Sequence, residues 1–144
     1  MNKSICIAIT FLLFGCSDKI RKENLDVLNG YWEIEKVVFP DGSTKEYAVN
    51  TSIDFISLED KKGYRKKMQP KFNGTYDTSN DADLFILLER EGIYFINYEV
   101  NDNTGLETHR LEELVSLSEN KFSVRNADGI TYDYKRFEPI NIEN

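Results

Sequence analysis

The sequence predicts an all-β domain, a small antiparallel up-and-down barrel of about eight strands. From Gly30 onward, short runs rich in aromatic and β-branched residues alternate with turn-forming residues at close intervals. Polar and apolar residues alternate within several of these runs, as in strands that turn one face to a core. A chain of neighbouring strands exposes two edges unless it closes, and closure at about eight strands leaves an interior that side chains or one small ligand can fill.

Length and composition are those of one small globular domain. The chain has 144 residues, of which 40% are hydrophobic and 30% charged, with a net charge of −7 and a pI near 4.8. An acidic chain without a basic stripe is a poor nucleic-acid binder, because neutralising phosphates supplies most of the non-specific affinity. We therefore expect no nucleic-acid partner. We also expect no cofactor and a monomeric protein.

The first residues have the proportions of an export signal. Lys3 gives a positively charged start, and the apolar run 5–14 is shorter than the about 20 residues that a membrane-spanning helix needs. The run ends in Leu13-Phe14-Gly15-Cys16, which resembles the bacterial lipobox. The resemblance implies that residues 1–15 are a signal peptide, and that Cys16 carries a diacylglyceryl thioether and an amide-linked acyl chain such as palmitate.

The same resemblance predicts where the protein resides. Each buried methylene of a lipid chain contributes about 0.8 kcal/mol, so a lipid anchor holds the protein at a membrane without a transmembrane helix. Ser17, directly after Cys16, favours passage to the outer membrane, with the face of that membrane left open. Since Cys6 leaves with the signal, no free thiol remains in the mature chain for a disulfide, a metal ion or nucleophilic attack.

The mature chain is predicted to divide into a tether, a barrel and a tail. Residues 16–27 are polar and charged, as expected of a lipidated tether that sets the distance from the bilayer. Alternatively, Lys22–Leu28 forms a short helix that closes one end of the barrel. The barrel domain is predicted over residues 28–138, and a C-terminal tail over residues 139–144.

Nine runs within the barrel domain are predicted strands: 31–39, 51–58, 64–69, 72–77, 84–89, 93–100, 106–117, 121–125 and 130–137. Turn residues separate them, as in Pro40-Asp41-Gly42 and Arg90-Glu91-Gly92. The run 106–117 also carries apolar residues at helical spacing. A strand is preferred there because the meander needs the pairing.

Two short motifs at the ends of the predicted barrel point to a family. Gly30-Tyr31-Trp32 opens the first strand, and Tyr134-Lys135-Arg136 lies in the last one. This pattern resembles that of lipocalins and their lipocalin-like bacterial relatives over residues 28–137. The resemblance implies a barrel with Trp32 buried at its base and Arg136 stacked across the indole, a cation–π contact of about 0.5–2 kcal/mol. This pair would tie the two chain ends together and close the barrel.

The tyrosines indicate a binding site. Alternation places Tyr94 and Tyr98 on one face of their strand, and Tyr132 and Tyr134 on one face of the last strand. Lining a cavity, they would present apolar rings with polar tips, as small-ligand pockets do. We therefore take these four as candidate ligand-lining residues for a small apolar ligand such as a fatty acid. The alternative is that they fill the barrel, which then acts as an envelope interaction or structural module.

No arrangement of residues predicts an enzyme. His109 is the single histidine, no Gly-x-Ser-x-Gly turn is present, and the acidic residues lack the spacing of a metal-binding loop. We expect no catalytic and no metal-ligating residues. The basic segment from Lys61 to Lys71 is predicted to be an edge strand protected by lysines, or else a contact with anionic lipid or surface glycan.

Overall fold

The computed structural model describes residues 19–101 and 107–138 of the chain. This part of the protein contains one 3₁₀ helix, Lys22–Leu28, followed by strands only. The strands, numbered in chain order, are β1 Gly30–Val38, β2 Thr44–Glu46, β3 Ile53–Glu59, β4 Lys62–Pro70, β5 Tyr76–Thr78, β6 Asp83–Arg90, β7 Ile93–Asn101, β8 Glu107–Leu117, β9 Lys121–Arg125 and β10 Thr131–Arg136. Within the described ranges, no helix is long and apolar enough to cross a bilayer.

The strands form a closed antiparallel barrel. Eight of them follow one another around a ring in the order β1, β3, β4, β6, β7, β8, β9 and β10. The last strand pairs with the first, from Trp32 opposite Arg136 to Val38 opposite Thr131, so the ring has no open edge. The predicted all-β, up-and-down barrel of eight strands is therefore confirmed.

Two short strands lie beside the ring. β2 extends the β1 side, and β5 pairs with the end of β4. The strand predicted over residues 72–77 is thus largely wrong: only Tyr76–Thr78 is extended, and residues 72–74 form the turn before it. Strand β2 was not predicted, because its three residues are all exposed and carry no alternation of polar and apolar side chains.

The ambiguous run near residue 110 is strand β8, as preferred. It pairs with β7 on one side and β9 on the other, so both rows of its backbone groups are hydrogen-bonded. A register shift between Leu114 and Ser116 accounts for the three-residue interval between the apolar residues Leu114 and Leu117. Leu114 is buried in the core and Leu117 packs against it. An interval of three residues can keep both on one side because the bulge adds a residue to the strand.

The chain enters the barrel at a closed end. Leu25 and Leu28 of the 3₁₀ helix are buried there and join the core. The indole Nε1 of Trp32 donates to the backbone oxygen of Leu28 at 2.8 Å. Trp32 itself is fully buried and meets the ring of Phe122 edge-on, with centroids 4.8 Å apart. Large rings thus fill this half of the barrel.

Arg136 lies across the same end, over the face of Trp32. Its guanidinium carbon is 3.8 Å from the indole centroid. Nη1 donates to the backbone oxygen of Asn29 at 2.7 Å and Nη2 to that of Val27 at 3.0 Å. Gly30 has a φ of +118°, and a Cβ there would lie 2.7 Å from Nη1 of Arg136. The glycine is therefore needed both for its backbone conformation and for the close approach of the arginine.

Strand β4 is not an edge strand, so the prediction that the basic segment from Lys61 to Lys71 is an edge protected by lysines is wrong. It lies between β3 and β6 in the ring. Alternation along β4 sends neighbouring basic side chains to opposite faces. Arg65 is 8% exposed and Lys67 lines a cavity, whereas Lys66 approaches the ring of Tyr64. The segment that looks like a basic run in the sequence is therefore split between the inside and the outside of the barrel.

Candidate ligand site at the open end of the barrel

An open cavity of about 600 Å³ lies at the end of the barrel opposite Trp32. Its wall comes from β1, β4, β6, β8 and β10 and from the turn that joins β9 to β10. The charged lining residues are Arg65, Lys67, Asp83, Arg110, Glu112 and Asp128. The apolar and aromatic lining residues include Ile34, Leu111, Tyr132 and Tyr134. The cavity is thus of the size of small-molecule sites but carries more charge than most of them.

A buried ion pair forms the floor of this cavity. Nη2 of Arg65 lies 2.6 Å from Oδ2 of Asp54, whose side chain is only 2% exposed. The same guanidinium donates to the hydroxyl of Tyr98 at 3.1 Å and to that of Tyr134. Arg65 also lies over the ring of Tyr134, with its central carbon 4.9 Å from the ring centroid. One arginine therefore joins β3, β4, β7 and β10 through charge-assisted contacts.

The environment decides the protonation of this cluster. Burial by itself would raise the pKa of Asp54, but the charges and hydrogen bonds of Arg65 and Lys67 outweigh burial and lower the pKa. Burial, assisted by the charges of Asp54 and Glu112, raises the pKa of Tyr134 to about 12, against the opposing effect of Arg65. Tyr134 therefore keeps its proton, and Asp54 its negative charge, at neutral pH.

Around the floor, most charged groups of the wall are paired. Lys67 extends Nζ to 2.6 Å from Oδ1 of Asp54. Arg110 is 3.2 Å from Asp83 and 3.5 Å from Oε1 of Glu112, and it stacks on the ring of Tyr98 with 4.0 Å to the centroid. Two buried carboxylate oxygens accept no hydrogen bond from the described residues: Oδ1 of Asp54, which has Nζ of Lys67 as its ion-pair partner, and Oε2 of Glu112. The distance from Oε2 of Glu112 to Nη1 of Arg65 is 3.8 Å, too long for a hydrogen bond.

The four tyrosines singled out in the sequence take three different positions. Tyr132 and Tyr134 line the cavity wall. Tyr98 is 1% exposed and lies beneath the cavity, where it touches Arg65 and Arg110. Tyr94 faces the interior near the closed end and lines a separate space of about 250 Å³ beside Lys19 and Gly92. The structure thus places Tyr132 and Tyr134 in the cavity wall and Tyr98 beneath them, and it leaves Tyr94 at the other end of the barrel.

The sequence patterns did not single out Asp54, Arg65 or Glu112 as site residues. One signal for Asp54 was available, since it is the one carboxylate within the mostly apolar run 53–58. An acidic residue at an interior position needs a buried partner. Arg65 lies 11 residues from Asp54 in the chain, and Tyr134 lies 69 residues from Arg65. These partners could therefore be paired only once the strand register was known.

The described residues contain no group of three or more acidic, histidine or cysteine side chains that could hold a metal ion. His109 lies in β8, and its side chain is outside the described part of the structure. Cys16 likewise lies outside the described residues.

Two solved structures resemble the chain. One is a lipocalin-like protein from Bacteroides uniformis, with a TM-score of 0.48 and 13% sequence identity over 77% of this chain and 99% of that one. The other is an uncharacterized protein from Bacteroides eggerthii, with a TM-score of 0.47 and 14% identity over 76% of this chain and 99% of that one. No protein family and no curated protein matches the sequence.

Proposed function

We propose that this protein is a lipid-anchored protein of the outer membrane that binds a small ligand in the cavity at the open end of its barrel. One observation carries the proposal: a cavity of about 600 Å³ lies above the buried ion pair of Arg65 and Asp54. This volume exceeds the roughly 300 Å³ at which small-molecule sites begin. The other half of the barrel is filled by its own side chains, so the ligand binds at the mouth and does not penetrate to Trp32.

The proposed anchor and the cavity are at opposite ends of the barrel. Lys19 approaches Gly92 in the turn between β6 and β7, beside the closed end. Two residues, Ser17 and Asp18, separate Lys19 from Cys16, so the chain between them can reach at most about 11 Å. A lipid on Cys16 therefore holds the closed end near the bilayer and directs the mouth toward the aqueous phase. This orientation favours a ligand that arrives from water over one that diffuses out of the membrane.

Native mass spectrometry tests the binding proposal. The chain from residue 17 to 144, which contains every described helix and strand, is incubated with a lipid extract and, separately, with a water-soluble extract of the cells that produce it. We expect a retained adduct of defined mass. The substitution Ala127→Trp places a large ring in the cavity wall and should abolish the adduct, because Ala127 lies in the turn that lines the mouth.

Asn120→Trp is the matched control, since Asn120 is exposed in the turn between β8 and β9 at the closed end. It should leave the adduct unchanged. A folded protein that retains nothing from either extract would refute the proposal. An adduct that survives Ala127→Trp would place the binding site elsewhere.

A second function is supported by the outer surface of the barrel. Five half-buried aromatic side chains pack in a row there, with ring centroids 4.9–6.4 Å apart: Tyr31, Phe55, Tyr64, Tyr76 and Phe137. Rows of partly exposed aromatic rings are common in protein interfaces. In this alternative the filled barrel is an interaction module of the envelope. A photo-crosslinking residue at position 64 would then give a specific protein adduct, whereas the same residue at position 132 would give none.

A further inference from the structure

We infer that the ligand of the mouth cavity is a neutral carbohydrate of one or two sugar rings. The inference rests on the proposed ligand-binding function and deepens it by naming the ligand class. Three properties of the wall support it: its cations are already paired with carboxylates, the buried carboxylate of Glu112 has an oxygen without a hydrogen-bond donor, and an aromatic ring stands beside polar groups.

The pairing of the lining cations argues against an anionic ligand. Three cationic and three acidic side chains line the cavity, and the carboxylate of Asp54 lies beneath it. Each lining cation already has an acidic partner among the described residues: Arg65 and Lys67 with Asp54, and Arg110 with Asp83. An anionic headgroup would have to displace one of these carboxylates. A neutral ligand leaves all of the ion pairs intact.

The unsatisfied acceptor calls for a ligand that donates hydrogen bonds. Glu112 lines the cavity and is 8% exposed, yet its Oε2 has no donor from the described residues. A buried acceptor without a partner costs about 1–3 kcal/mol, which a hydroxyl group of a ligand can recover. Its other oxygen, Oε1, lies 3.5 Å from Nε of Arg110. The carboxylate of Glu112 can accept a hydrogen bond from one hydroxyl of a sugar, and the guanidinium of Arg110 can donate one to a neighbouring hydroxyl.

The apolar part of the wall suits a ring and not a long chain. Tyr132 is half-buried, and it lines the cavity together with Ile34. The C–H face of a sugar can pack on such a ring while its hydroxyls reach the charged groups. A fatty acyl chain would need a long apolar space beneath the mouth. There the interior is filled by Phe85, Ile96, Phe122 and other core side chains.

The test is a titration of the chain 17–144 with a panel of neutral sugars, followed by saturation-transfer NMR and native mass spectrometry. The panel contains monosaccharides and disaccharides of hexoses, N-acetylhexosamines, pentoses and deoxyhexoses. Palmitate serves as the apolar and anionic comparison. We expect at least one saccharide to bind with a Kd below about 10 mM, and palmitate to show no saturable binding.

Two substitutions locate the saccharide. Tyr132→Ala and Glu112→Gln should each weaken its binding about tenfold or more, since they remove the ring and the charged acceptor. Tyr76→Ala is the matched control, because Tyr76 packs on Tyr31 outside the cavity. It should leave the Kd unchanged. Circular dichroism and the fluorescence of Trp32 check that each variant is folded. If Tyr132→Ala does not fold, Tyr132→Phe replaces it as the variant, since it removes the hydroxyl and keeps the ring.

The outcomes separate this inference from the proposed function. Failure of the whole panel, while an adduct from a cell extract still depends on Ala127, overturns the carbohydrate assignment and leaves ligand binding in place. Saturable binding of palmitate in the cavity without saccharide binding does the same. If neither the panel nor an extract gives a bound ligand, both proposals fall.

Discussion

Replacing Arg65 by methionine tests whether the buried ion pair holds the open half of the barrel together. The substitution leaves Asp54, which is 2% exposed, with Lys67 as its remaining cationic partner. That lysine is 63% exposed, so it compensates the buried charge poorly. The hydroxyls of Tyr98 and Tyr134 also lose their donor.

The expected magnitude follows from these contacts. Removing one member of a buried ion pair costs about 3–5 kcal/mol, and each orphaned hydroxyl adds about 1 kcal/mol at most. We therefore expect Arg65→Met to lower the free energy of unfolding by about 3–7 kcal/mol. The double variant Asp54→Leu with Arg65→Met removes the uncompensated charge as well. It should be more stable than Arg65→Met alone, because the coupling between contacting residues reaches about 2–3 kcal/mol.

Urea-induced unfolding measures these differences. The chain has one tryptophan, and Trp32 is fully buried at the closed end, so its fluorescence reports the whole transition. Circular dichroism provides a second probe for two-state behaviour. A loss below about 1 kcal/mol for Arg65→Met, or a double variant whose loss equals the sum of the two single losses, would refute the reasoning.

Four further predictions can be checked independently. Acid should destabilise the fold, because the pKa of Asp54 is lower in the folded state than in the unfolded state. The stabilisation that ionised Asp54 contributes is present above the unfolded pKa of about 3.9 and is lost as pH falls through the folded pKa. In Asp54→Leu, the fall in unfolding free energy measured across that range should be smaller. Trp32→Ala should cost about 3–5 kcal/mol in urea unfolding, and an unchanged midpoint would contradict its place in the core. Gly30→Ala should cost more than Gly74→Ala, since both glycines have positive φ but nothing lies within 4 Å of a Cβ at Gly74; equal losses would exclude the close contact at Gly30. Cys16→Ser should move the protein from the membrane to the soluble fraction, and its retention on washed membranes would argue against a lipid anchor.

Local signals in the sequence were enough to predict the barrel. Turn residues separate the strands, and in β10 the alternation of Tyr132, Tyr134 and Arg136 assigns one face to the interior. The expectation that Trp32 is buried beside Gly30 came from the family resemblance, and the structure has Trp32 fully buried. The prediction of the Trp32 and Arg136 contact came from the family resemblance, and the structure places the two side chains 3.8 Å apart.

Tertiary structure decided what the interior contains. Arg65 stands in a run of basic residues and looks exposed in the sequence, but the register of β4 against β3 turns it inward to Asp54. Tyr94 and Tyr134 are both interior tyrosines, yet only Tyr134 reaches the cavity, because the height of a residue in the barrel depends on the stagger of its strand. Alternation within one strand tells which side chains point inward. Which of them meet depends on pairing between strands that lie far apart in the chain, and the paired ionic floor and the mouth above it arise from that pairing.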